Sequence, residues 1–337
     1  MSNEKSLVMD IKDLVVHYET DEGVVEAVNN VSLQIHKGEI LGLVGETGAG
    51  KTTLALSMMN LLPYPPSHVI GGEVLLEGKD VMKMSKSEIL KVRGKKISMI
   101  FQDPMTALNP VKYVGDQIAE VAQIHEKCSK AESVQRAMEM MKTVGIHPER
   151  YKEYPHQFSG GMKQRIVIAI ALACQPELLI ADEPTTALDV TIQAQVLDMM
   201  VKLQKERDMA MLMITHDLGI VAEVCDKCAI MYAGEIVEYG ELEHIFDRPA
   251  HPYTIGLLGT IPSLDKDVDR LKPIPGLVTD PTNLPEYCSF YDRCPYAQES
   301  CKKGNPQLVE LEPGHWVRCF ETAKTTSGYA QTKEVEA

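Results

Sequence analysis

Five apolar residues, Ile40 to Val44, run straight into Gly45-Glu46-Thr47-Gly48-Ala49-Gly50-Lys51-Thr52, and a helical pattern from Lys51 to Leu62 follows. A short strand that is apolar at every position is buried on both faces, so the chain must build a central sheet covered on both sides. The glycines permit backbone angles closed to other residues, so successive N–H groups can converge on phosphate oxygens at the start of a helix. The spacing is a full match to the P-loop pattern. In that pattern Lys51 reaches the β- and γ-phosphates and the Thr52 hydroxyl completes magnesium coordination. A chance match in a glycine-rich turn is disfavoured because this one follows a buried strand and opens a helix.

Other elements sort around that strand. Alternating apolar residues from Leu7 to His36, broken at Asp21-Glu22-Gly23, predict an antiparallel hairpin. Ile97 to Phe101, Leu178 to Ala181 and Met211 to Thr215 predict further buried strands, with a helix between the last two. The helix after the P-loop is expected to stop at Leu62, before Pro63, Pro65 and Pro66. From Val114 to Cys174 the pattern is mostly helical and rich in Glu, Lys, Met and Ala, which predicts a helical subdomain inserted in the sheet. The fold class is α/β.

The 337 residues suffice for one large or two ordinary domains. A net charge of −14 argues against a nucleic-acid binder that works through a general basic surface. The longest apolar run, Ile166 to Cys174, falls far short of the ~20 residues a membrane-spanning helix needs. The start, Met1-Ser2-Asn3-Glu4-Lys5, lacks the basic-then-apolar profile of a secretion signal. The expectation is a soluble cytoplasmic protein that meets a membrane only through partners.

Two more motifs carry chemistry. Asp182 and Glu183 end the apolar strand Leu178 to Ala181, at the sheet end where α/β proteins place ligands. An Asp there can hold magnesium through water, and an adjacent Glu can orient an attacking water as general base. Phe158-Ser159-Gly160-Gly161-Met162 precedes a helical pattern, and Ser159 has the chemistry of a helix N-cap.

With the P-loop, these motifs resemble the ATP-binding cassette (ABC) ATPases, whose signature loop is usually LSGGQ; here Phe158 and Met162 replace the Leu and the Gln. The resemblance implies a P-loop NTPase (RecA-like) core with an antiparallel β subdomain and a helical subdomain. It implies that Gly45, Glu46, Thr47, Gly48, Ala49, Gly50, Lys51, Thr52 and Thr53 bind ATP, with Thr52, Gln102 and Asp182 on Mg²⁺. Gln102 matches the Q-loop glutamine, and His216 in Ile214-Thr215-His216-Asp217 the switch histidine that contacts the γ-phosphate. Ala187-Leu188-Asp189 matches the D-loop, and Tyr18 sits where the family stacks an aromatic on adenine. Glu183 and His216 would be the catalytic pair. In the family, Ser159, Gly160 and Gly161 face the ATP held by an opposite subunit, so one chain makes half of each active site.

The tail narrows the resemblance. Arg248-Pro249-Ala250-His251-Pro252-Tyr253-Thr254, then Leu257-Leu258 and Ile261-Pro262, look like the extension of dipeptide and oligopeptide importer ATPases. Cys288, Cys294, Cys301 and Cys319 lie within 32 positions, in a segment poor in hydrophobic periodicity that needs a staple. A reducing cytosol disfavours disulfides, which leaves a metal site. The gaps of five, six and seventeen residues fit neither paired zinc motifs nor ferredoxin runs. Some relatives with this pattern hold a 4Fe–4S cluster, which is the favoured reading; zinc and unligated thiols stay open. Cys225 and Cys228 form a C-x-x-C that reads as part of the core.

The resulting organisation is an ABC ATPase domain over 1–247 with its helical subdomain at about 104–174, a small irregular Cys-rich extension over 248–320, and a disordered tail over 321–337. The implied protein powers import of dipeptides or oligopeptides. Its partners would be a second homologous cassette (heterodimer or homodimer), two membrane permeases and, indirectly, an extracytoplasmic peptide-binding protein, with no nucleic acid. It would sit on the cytoplasmic face of the membrane. Import of nickel, sugars or antimicrobial peptides is the alternative cargo. A soluble non-transport ABC ATPase would predict two cassettes in one chain or a long coiled-coil insert.

Overall fold

The computed structural model describes residues 6–186, 188–260 and 273–322. They fall into two compact units. One is built from Ile35–Glu39 and Leu76–Ile214, the other from Asp10–Gln34, Ile40–Leu75 and the chain from Thr215 onward.

In the first unit three parallel strands lie side by side: Ile97–Ile100, Leu178–Asp182 and Ala210–Thr215. Leu178–Asp182 is the middle one, with Leu178 opposite Ile97 on one side and Ala210 on the other. Every residue of the three is buried, as parallel strands covered on both faces require. The helical stretch resolves into Val114–Glu126, Lys130–Thr143 and Gly160–Leu172. Ser129 and Glu132 form a capping box that starts the second of these: each side chain accepts the other's backbone N–H. The longest apolar run supplies the inner helix, where Ile166, Val167, Ile168, Ala169, Ala171 and Leu172 are all buried.

In the second unit Ile40–Val44 runs parallel to Lys227–Tyr232, with Leu41 opposite Lys227. Glu235–Glu241 pairs antiparallel with Lys227–Tyr232 on its other side. The predicted hairpin forms from Leu7–Thr20 and Gly23–His36, and Ser67–Leu76 joins the first of these strands.

Three expectations change. The helix after the P-loop is Lys51–Met58, not Lys51 to Leu62. Asn60 turns left-handed at φ +50°, and Leu61 returns its N–H to the Leu56 carbonyl at 2.8 Å, which closes the helix end. The strand at Ile97 stops at Ile100 and leaves Phe101 exposed. The cysteine tail is not wholly irregular. Besides the 3₁₀ turns Tyr291–Arg293 and Glu299–Lys302 it supplies two strands, His315–Val317 and Val309–Glu312. His315–Val317 extends the sheet beside Glu235–Glu241, with Trp316 opposite Tyr239, and Val309–Glu312 pairs outside it. Strands of three and four residues are too short to show alternation, and they are held by an existing sheet rather than by a core of their own. Ala187, Ile261-Pro262 and residues 323–337 of the expected disordered tail lie outside the described residues.

Candidate functional site

The phosphate loop is shaped by its glycines. A Cβ added at Gly45 would lie 2.2 Å from the Met231 carbonyl oxygen, and one at Gly50 would lie 2.2 Å from that of Ala27. Gly50 also takes φ +102° as the residue before the helix Lys51–Met58. Lys51 is buried and arches over the loop, its Nζ donating to the carbonyls of Gly45 at 2.6 Å and Glu46 at 3.0 Å. A tight backbone cradle with a buried ammonium at a helix start fits a phosphate ligand. Thr47, Gly48 and Thr52 are exposed, while Ala49 is buried. Tyr18 lies beside this group, its hydroxyl 3.3 Å from Thr53 Oγ1.

His216 stands exposed just after the strand Ala210–Thr215. The turn carrying it is set by its neighbours. Asp217 donates its N–H to Thr215 Oγ1 at 3.0 Å, and its carboxylate accepts the Gly219 N–H at 2.8 Å to cap the helix Leu218–Val224.

In the first unit Asp182 is 5% exposed at the end of its strand, and Glu183 follows in the left-handed region at φ +45°. That conformation in a non-glycine residue costs of order ~1–3 kcal/mol. Glu183 donates its N–H to the Ile214 carbonyl at 2.9 Å. One carboxylate oxygen, Oε2, accepts from Gln102 Nε2 at 2.9 Å and from Thr186 Oγ1 at 2.9 Å. The structure thus brings Gln102 and Glu183 together. Thr186 was not anticipated from sequence.

Ser159 does cap the helix Gly160–Leu172, accepting the Met162 N–H at 3.4 Å. Gly161 is needed for contact: a Cβ there would meet Ile192 Cγ2 at 2.4 Å. Asp189 caps the helix Val190–Arg207 by accepting the Ile192 N–H at 3.0 Å. The two departures from the usual signature loop belong to one contact. The Arg150 guanidinium lies 4.0 Å over the Phe158 ring, and its Nη1 donates to Met162 Sδ at 3.4 Å. Arg150 also donates to Glu153 Oε2 at 2.8 Å and to the Gln157 carbonyl at 3.0 Å, so the loop is braced from its N-terminal side.

Residues from the far end of the chain hold Glu46. Its N–H donates to the Tyr253 hydroxyl at 2.9 Å, and its carboxylate takes a two-pronged bond from Arg293. Tyr253 lies within the tail motif and Arg293 directly precedes Cys294, but nothing in the spacing pointed to Glu46.

Cys288, Cys294, Cys301 and Cys319 line one cavity of about 20 Å³, together with Phe290 and Pro306. That is room for about one water. Burial pushes the thiols up, Cys288 to about 11 and Cys319 to about 12. Among the described residues no three His, Cys, Asp or Glu side chains form a group that could hold a metal ion. The four cysteines expected to hold 4Fe–4S or zinc thus line one cavity, which in this form admits about one water and not a cluster of eight heavy atoms. Cys225 and Cys228 are buried, and burial pushes Cys225 up to about 12, in keeping with the core reading. Among the described residues no helix is long and apolar enough to cross a membrane.

Residues 28–186 match the ABC transporter family model, and residues 237–301 match the oligopeptide/dipeptide transporter C-terminal region. The oligopeptide transport ATP-binding protein OppD of Bacillus subtilis is 49% identical over 93% of this chain and 88% of its own length. The dipeptide transport ATP-binding protein DppD of the same organism is 47% identical over 93% and 94%. Among solved structures, the ATP-binding cassette MJ0796, a dimer in a post-hydrolysis state bound to ADP and Pi, is 27% identical with a TM-score of 0.63, covering 69% of this chain and 98% of that one. The cbiO1 protein of Clostridium perfringens, part of the transporter complex cbiONQ, gives 27% and 0.62, covering 72% and 92%.

Proposed function

This chain belongs to the ABC transporter ATP-binding proteins, in the oligopeptide and dipeptide branch, and as such it hydrolyses ATP to power peptide import; we propose the following division of that work among its residues. Gly45 to Thr53 hold the phosphates, with Lys51 on the β- and γ-phosphates and Tyr18 beside adenine. Thr52, Gln102 and Asp182 hold Mg²⁺, which offsets the charge that develops on the phosphates. Glu183 orients the attacking water and takes its proton, and His216 meets the γ-phosphate. Ser159, Gly160 and Gly161 offer their helix terminus to ATP on an opposite cassette, with Asp189, which caps the helix that Gly161 packs against, at the shared interface.

The observation that carries this reading is Glu183. A carboxylate at a strand end, with one oxygen pinned by Gln102 and Thr186, is an oriented base rather than a solvated cap. Glu183→Gln keeps the shape and removes the base. In the assembled transporter it should bind ATP as before and lose turnover by about 100-fold or more. Brisk hydrolysis by the clean variant would remove Glu183 from the role.

The chain is divided into the nucleotide-binding domain 1–247, with its helical part at about 104–174, and the extension 248–320. It works in a pair with a second cassette beneath two permeases, at the cytoplasmic membrane face, fed by an extracytoplasmic binding protein. The dimeric form of the cassette relative supports the pairing. For the cysteine segment we propose a bound 4Fe–4S cluster. The shared cavity and the all-thiol donor set support it. Loading requires the thiols to deprotonate and the cavity they share to widen around the cluster.

A further inference from the structure

Taking residues 45–52 as the phosphate loop of an ATP site, as proposed above, the side chain of Glu46 is out of place. It sets a carboxylate in a loop that must receive a polyanion. The fold answers with three anchors on this one residue. Its N–H donates to the Tyr253 hydroxyl at 2.9 Å, its carbonyl accepts Lys51 Nζ at 3.0 Å, and its carboxylate is gripped by Arg293, Nη1 to Oε2 at 2.6 Å and Nη2 to Oε1 at 3.0 Å. Paired forks of this kind are the strong, directional form of an ion pair.

Arg293 is itself fixed. Its side chain is 4% exposed, its Nε donates to the Pro275 carbonyl at 3.1 Å, and its guanidinium carbon lies 5.7 Å from the Tyr232 ring centre and 5.8 Å from that of Phe290. Tyr232 packs in turn against Tyr253 and Phe290. A buried arginine held on all sides cannot leave Glu46 without the tail moving. Glu46 is less buried, its side chain 30% exposed.

We propose that Arg293 is a positioning residue of the nucleotide site: it cancels the charge of Glu46 and fixes the first turn of the phosphate loop, so that the tail sets how well the loop accepts a polyanion. Arg293 touches the loop and not the reacting atoms. Its effect is electrostatic, which separates it from a residue that merely holds the tail in place.

The test is equilibrium binding of Mg–ATP to the purified full-length chain, at low and high salt, alongside the ligand-free melting temperature. Arg293→Met leaves the Glu46 charge uncompensated and should weaken ATP binding about tenfold, the effect of one unit charge across the width of a loop, with the loss shrinking at high salt. The double variant Glu46→Gln with Arg293→Met removes both charges and should return affinity to within about threefold of the parent. Arg293→Lys keeps the charge without the fork and should also lie within about threefold, which keeps the test open if Arg293→Met does not fold. Unchanged ATP affinity in Arg293→Met overturns the proposal. So does a double or a lysine variant as weak as Arg293→Met. A parent chain that binds no ATP would instead overturn the nucleotide reading of the loop.

Discussion

Glu238 offers the sharpest test of how the tail is held. Its side chain is wholly buried, and its two carboxylate oxygens accept three bonds: Ala250 N–H at 2.7 Å, His251 N–H at 2.9 Å and His315 Nε2 at 2.7 Å. One acid thus ties the strand Glu235–Glu241 both to the Arg248-to-Thr254 motif and to the edge strand His315–Val317. Glu238→Ala removes the acceptor of all three bonds at once. Each buried donor that loses its acceptor costs about 1–3 kcal/mol, so the sum is about 3–9. Recovering the cost of burying a carboxylate brings the expected loss to about 3–6 kcal/mol, a large share of a typical total of about 5–15. Glu238→Gln keeps one acceptor and turns an amide N–H₂ toward a donor, for about 1–3 kcal/mol. Urea unfolding followed by circular dichroism, without nucleotide, measures both. Hydrogen exchange at Ala250 and His251 should accelerate in step. A Glu238→Ala protein within about 1 kcal/mol of the parent, with those amides still protected, would refute the reasoning.

Burial pushes the His251 imidazole down to about 3, with the Arg318 cation adding to the effect. The folded value lies below the unfolded one, so the unfolded chain takes the proton first and stability is lost as pH falls below about 6.5. From pH 7 to pH 5 this contributes about 2 kcal/mol of loss, and a His251→Asn variant unfolded in urea across that range should show a slope shallower by that amount; an identical slope would sink the assignment. For the cysteine segment, protein purified without oxygen should carry iron and a broad visible absorbance that Cys294→Ser abolishes. Colourless, iron-free protein would end the cluster reading.

Much of the site was legible because its motifs are local. Gly45 to Thr52 must lie between a buried strand and a helix, and Asp182-Glu183 must end a strand, so each motif carries its own context. Tyr18 and Gln102 were singled out by family order and spacing, for adenine and for magnesium, and their bonds to Thr53 and Glu183 were not foreseen. What stayed hidden were single polar side chains whose partners are far away in sequence. Arg293 and Glu46 are 247 residues apart, and no periodicity links them. Arg150 was invisible for the opposite reason: an isolated Arg beside Glu153 reads as a solvated pair until Phe158 and Met162 are seen against it. The metal expectation rested on donor type, on a segment without a core and on resemblance to relatives, none of which sets the size of the cavity the four thiols share.

The outermost strand, Val309–Glu312, has a consequence of its own. It is four residues long, two of them are glutamates, and its register slips between Glu310 and Glu312. Short length, charge and a bulge are the devices that stop a sheet from recruiting another chain. Behind it, Glu235–Glu241 carries Ile236 and Val237, both buried. A chain cut before His315 would leave that seven-residue strand as the open border, an adhesive surface for other copies. The last strands therefore guard the solubility of the whole ATPase, a duty unrelated to nucleotide or cysteine chemistry, and truncation there should show first as aggregation during expression.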